Sequence, residues 1–140
     1  MSIDFADITR AIQARLSPQA WPQTPVAFEN SAFIPPADGS AWMRLSVMER
    51  NSQQPVHWAA PETAAARLSG AIYIVGYVPQ GTGDAGLDLL LTAAKAVFEG
   101  QTFAGSTSLI RVQASSSVLA GPEAPWFKKL ITLPFWATPL

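Results

Sequence analysis

The run RLSGAIYIVGYV at residues 67–78 decides the fold. In an extended chain Leu68, Ile72, Ile74 and Val78 fall on one face, and Ala71, Tyr73, Val75 and Tyr77 fall on the other. A strand apolar on both sides belongs in the middle of a sheet, covered on both faces. Gly70 and Gly76 interrupt it and mark a bulge or a close approach by another element. Broken by Ser69 and those glycines, the run is also too short to span a bilayer.

Downstream, Pro79 to Gly86 reads as a glycine-rich turn with Thr82 or Asp84 as the cap of the helix that follows. That helix runs from about Ala85 to Glu99 and is closed by Gly100 at the C′ position. Its main face is Leu87, Leu90, Leu91, Ala94 and Phe98, and Asp88, Thr92, Lys95 and Glu99 form one polar stripe. The remaining flank, Leu89, Ala93 and Ala96, is apolar and mostly small. A helix with a single polar stripe is covered on more than one side. The sheet covers one side, and the flank is a candidate interface with a neighbouring subunit or other partner.

Upstream, Phe5, Ile8, Ile12 and Leu16 recur at helical spacing, which predicts a helix from about Asp4 to Leu16. Asp4 is its N-cap, while Asp7, Arg10 and Gln13 point away from the apolar face. A short strand at Val26 to Asn30 and a turn at Ala37 to Ser40 follow. From Ala41 to Arg50, Met43, Leu45 and Val47 face inward, and Trp42 shares the polar register and is expected to be partly exposed. Asn51 to Glu62 reads as a surface loop carrying His57 and Trp58, a second candidate interface. Beyond the second helix, Thr107 to Ala114 reads as a strand, and Ser115 to Ser117 and Gly121-Pro122 read as turns. Phe127 to Phe135 is a strand that Pro134 assigns to an edge or an end. The expectation is a single α/β (α+β) domain over residues 1–140, a mixed, largely antiparallel sheet packed by two main helices.

With 49% hydrophobic residues in 140, the chain can bury a core without disulfide or metal. Charged residues are only 14%, so some apolar surface is expected to meet another protein. A net charge of −1 argues against a dedicated nucleic-acid binder. The absence of cysteine removes disulfides, thiolate nucleophiles and thiolate metal sites. The start carries Asp4 and Asp7 and no apolar run, so no signal peptide is expected, and the chain is read as soluble.

Gly81-x-Gly83-x-x-Gly86 matches the dinucleotide fingerprint in letters. Its placement does not fit, because Pro79-Gln80 separate it from the strand and Glu99, the nearest acid, ends a helix. His57 is the sole histidine, so neither a histidine metal cluster nor a supported triad can form around it. Lys128-Lys129 beside Trp126 and Phe127 suits single-strand binding in composition, but lysines guarding a strand edge explain it as well. No catalytic residue, cofactor or metal site is expected.

One resemblance covers about Ile3 to Phe103. Trp21-Pro22, Phe28-Glu29-Asn30, Phe33-Ile34-Pro35-Pro36 and Trp42-Met43-Arg44 resemble the opening of the tail terminator proteins of long-tailed bacteriophages. The continuation, Arg67-Leu68-Ser69-Gly70, Tyr77 to Gly83, a helix and Phe98-Glu99-Gly100, is similar too, and there the glycine turn needs no nucleotide. The resemblance implies a structural protein that forms a hexameric ring, caps the tail tube, stops its polymerisation and presents the head-attachment surface. Its implied partners are its own copies, the tail tube protein and head–tail connector proteins. Its implied place is the virion neck after assembly in the host cytoplasm, with DNA passing without sequence-specific contact. Two alternatives remain: a head-completion or neck protein of the same machinery, and a small nucleotide-binding enzyme using Gly81, Gly83 and Gly86.

Overall fold

The computed structural model describes residues 4–53, 67–115 and 117–140. Its elements are α1 (Phe5–Ala14), β1 (Val26–Phe28), β2 (Trp42–Gln53), β3 (Arg67–Pro79), α2 (Ala85–Phe98), β4 (Thr102–Ala104), β5 (Ser108–Val112), β6 (Ser117–Glu123) and β7 (Trp126–Pro139). The fold is mixed α+β, dominated by one seven-stranded sheet of order β1-β2-β3-β7-β5-β4, with β6 also pairing β7. Only β1 and β2 run parallel; every other pair is antiparallel.

β3 is central, flanked along its length by β2 and β7. Both of its glycines mark close approaches. A Cβ on Gly70 would sit 2.6 Å from the Met48 carbonyl oxygen and the Phe135 ring, and one on Gly76 would sit 2.7 Å from Leu87 Cδ1. Opposite Gly70, the β2 register shifts between Glu49 and Asn51, which is the expected bulge.

The two helices cover one face. Ile8, Ile12 and Leu16 from the α1 end and Leu87, Leu91 and Phe98 from α2 are buried on Ile72, Ile74, Leu133 and Phe135. Apolar burial of this kind stabilises by roughly 25 cal/mol per Å² and dominates the fold. On the opposite face, Trp42, Tyr77 and Ala27 form a second cluster with Phe33, Val75 and Trp126 at one end.

Several expectations are corrected. Trp42 is 2% exposed, because its indole lies between Phe33 and Tyr77, stacked on the Tyr77 ring at 4.0 Å and 5°. The register was read correctly, but Phe33 brings a cover to that side. Asp7 does not point to solvent: it is buried and accepts the N–H groups of Ser106 and Thr107. Phe5, expected in the core, is exposed. Strand β4 was not anticipated, and Gly121-Pro122 lies inside strand β6 rather than in a turn. β7 is neither an edge strand nor ended at Pro134. Pro134 accepts from the Gln113 N–H on the side away from β3, so its missing N–H also points there. That side is the gap between the last β5 pair at Phe135 and the first β6 pair at Thr132, so no ladder bond is lost.

Candidate functional site

Helix α2 is clamped to the sheet from below and at both ends. Leu87, Leu91, Ala94 and Phe98 are buried beneath it. At its N-terminus, Lys129 of β7 reaches Asp88 at 2.7 Å and Asp84 at 3.4 Å. This corrects the reading of the lysines as edge guards: Lys129 Nζ docks a helix from a central strand, and Lys128 pairs with Glu123 at 2.8 Å. The Lys129 ammonium is held above its ordinary value, chiefly by the hydrogen bond to Asp88. Asp84 occupies the cap position without a side-chain cap bond, and Thr82 donates instead to the Pro79 carbonyl at 2.7 Å. At the other end, Gly100 adopts φ +72°, and Glu99 accepts the Ser115 N–H at 2.7 Å.

That clamping leaves the far flank bare. Leu89 is 73% exposed, and Ala93 and Ala96 are exposed one helical turn and two turns further on. The three expected flank residues therefore lie together on a rigid surface helix. His57 and Trp58 lie outside the described residues.

The glycine motif forms an open turn. Gly81 and Gly83 take φ of +85° and +84°, which glycine adopts without strain, and a Cβ added at either would meet no other described residue within 4 Å. The dinucleotide fingerprint needs a parallel βαβ unit, but β3, which precedes the turn, is antiparallel to both its neighbours. The backbone context of the nucleotide-binding alternative is missing here. Among the described residues, no group of His, Asp and Glu is placed to hold a metal ion.

Two surfaces escaped the sequence reading. A groove of about 700 Å³ runs between α1 and β4, lined by Arg10, Ala11, Ala14, Phe103, Ala104 and Gly105 among others. Arg15 crosses its end, donating to the Val97 carbonyl at 2.9 Å with its guanidinium 4.5 Å over Phe103. The second is the open sheet face away from the helices, where Arg67 lies 3.5 Å over the Trp136 ring. The signal for the groove was small residues at Ala11 and Ala14, one turn apart on the polar side of α1.

A solved structure is similar over 99% of this chain and 97% of its own, with TM-score 0.72 and 22% identity. That likeness establishes the fold. No curated protein matches. The family model described as phage tail terminator protein matches residues 7–135, from the buried Asp7 of α1 to Phe135 in β7. The chain belongs to the phage tail terminator protein family.

Proposed function

We propose that copies of this chain form a ring, a hexamer, that caps the phage tail tube, stops its polymerisation and presents the surface to which the head attaches. The ring is built in the host cytoplasm and stays in the virion neck, in contact with the tail tube protein and the head–tail connector proteins. One observation carries the reading beyond family membership: the Leu89, Ala93 and Ala96 flank is an apolar surface on a firmly docked helix, bare in the single chain. Apolar flanks on rigid elements are what protein partners bury.

Ala93→Glu tests it, because glutamate is a good helix former and the position is exposed. The variant should fold with unchanged circular dichroism and fail to rescue a terminator-deficient phage, giving overlong tails that do not join heads. Light scattering on the same variant assigns the flank. Loss of the ring places a neighbouring subunit there, and an intact ring that no longer caps places the tail tube there. A variant that terminates tails as well as the wild type overturns the role of the flank.

A further inference from the structure

Among the described residues the path of the sheet ends in two free edges, and β6, which pairs with β7 alone, leaves a third. Among the described residues β4 pairs with β5 alone, and β1 pairs with β2 alone. At the β4 edge, Gly105 N–H donates to the Ser108 carbonyl at 2.8 Å and Val112 N–H donates to the Gln101 carbonyl at 2.9 Å. These bonds fix the alternation, so Phe103 turns its main-chain groups inward and Thr102 and Ala104 turn theirs outward. At the β1 edge, Met43 N–H donates to the Pro25 carbonyl at 3.0 Å. Pro25 and Ala27 therefore face β2, and Val26 and Phe28 present N–H and C=O outward. The proline sits at a position whose missing N–H would point inward, so the free edge keeps its donors. Unpaired rows of this kind are templates for another strand.

The two edges are also matched in direction. Following the pairings across the sheet, β1 and β2 run one way, β3 the other, β7 with β2, β5 against it and β4 with it again. β4 and β1 thus point the same way at opposite ends of one sheet. A rotation that carries one copy onto the next can set β4 beside β1 as a parallel pair. This is a heterologous contact, the kind that closes into rings.

Their side chains suit each other. Phe103 lies on the helix-covered face, against Phe98 at 6.4 Å, and Val26 and Phe28 pack on that same face. The 700 Å³ groove beside β4 and an apolar hollow of about 370 Å³ beside β1 flank the two edges on this face. On the opposite face, Arg111 of β5 is exposed and has no ion-pair partner among the described residues. Glu29, just past β1, accepts a hydroxyl hydrogen bond from Ser46 at 2.7 Å and has no ion-pair partner among the described residues. Joining the edges brings that carboxylate toward that guanidinium.

We propose that β4 of one copy accepts β1 of the next as a parallel neighbour, so that the sheet continues from subunit to subunit. The inference rests on the ring reading and names its contact: Phe103 stands beside Phe28, and Ala104 beside Glu29.

Two experiments decide it. Ala104→Pro removes an outward N–H and leaves the β4–β5 ladder intact, so the subunit should keep its circular dichroism. Its assembly by light scattering should need a concentration at least about tenfold higher. Because the chain has no cysteine, Ala104→Cys with Glu29→Cys creates the sole thiol pair. Mild oxidation, or a short bis-maleimide, should give a ladder of covalent multimers from the double variant and none from either single one. The inference falls if wild type assembles, Ala104→Pro assembles equally well and the double variant gives no ladder, while the ring reading then stands. Dimers from Ala104→Cys alone would mean a two-fold β4–β4 contact and overturn it as well. A wild-type chain that stays monomeric at every concentration overturns the ring reading and this inference together.

Discussion

Asp7 and Gly105 are in such close contact that a methyl group on Gly105 would overlap the Asp7 carboxylate. The carboxylate uses that proximity: Oδ1 accepts the Ser106 N–H at 2.8 Å, and Oδ2 accepts the Thr107 N–H at 3.1 Å and its hydroxyl at 3.2 Å. One acid on the first helix thus fixes the turn between β4 and β5.

Gly105→Ala should cost about 1–3 kcal/mol, since the added methyl must displace a group held by three hydrogen bonds. Urea denaturation followed by circular dichroism measures it. An unchanged midpoint would mean that the turn has room to relax.

The same clamp sets a pH dependence. The Thr107 N–H, then the Ser106 N–H, hold the Asp7 carboxyl below its ordinary value of 3.8. Asp38, held down by Ser40, and Glu99, held down by the Ser115 N–H, shift in the same direction. The folded state therefore binds fewer protons than the unfolded state in acid. The stability from these groups is complete above their unfolded values and is lost as pH falls through the lower folded ones. Asp7→Asn should flatten the decline of the urea midpoint below about pH 4. A decline as steep as in the wild type would rule out Asp7 as a contributor.

Gly70→Ala should be more damaging than Gly76→Ala. At Gly70 the new Cβ meets the Met48 carbonyl oxygen, a backbone atom that cannot move without breaking the β2–β3 ladder, as well as the Phe135 ring. At Gly76 it meets the tips of Leu87 and Leu91, which can rotate at a cost of about 1–3 kcal/mol. Thermal melts of the two variants should rank in that order, and the reverse ranking would show that α2 cannot shift.

How much of this was legible in the sequence differs from element to element. Strand β3 and helix α2 were, because each carries a sustained apolar period that ends at proline or glycine. Trp42 was not: alternation gives the face of a side chain, and its cover comes from Phe33, nine residues earlier in the sequence. Asp7 was missed for the same reason, since its partners lie 99 and 100 residues away. Pro134 misled because proline signals a missing donor without saying which side lacks it, and here that side faces a gap between strands. The Leu89, Ala93 and Ala96 flank could be read as apolar, but only the packing of α2 shows it bare.

Lys129→Met keeps the length of the side chain and removes the ammonium that ties β7 to Asp84 and Asp88. Because the folded state raises this lysine above its ordinary 10.5, its contribution is complete below that value and lost as pH rises through the higher folded one. The variant should melt at a lower temperature at neutral pH and show weaker dependence on alkaline pH and on salt. Scans at low and high ionic strength check this, and an identical salt response in both proteins would argue against the tie.

The stack of Trp42 on Tyr77 gives the protein an optical signature. Two aromatic rings 4.0 Å apart and nearly parallel couple electronically, and Trp126 meets the same indole edge-on at 5.9 Å. The near-ultraviolet dichroism should therefore be dominated by one corner of the molecule. The β2–β3 ladder sets Trp42 opposite Tyr77, and Phe33 brings the proline-rich segment onto the same indole, so the band reports whether that segment is seated. Far-ultraviolet signal, arising from the helices and the ladder, is blind to the same event. Recording both bands during assembly separates a change at this corner from a change in the fold, using chromophores the chain already carries.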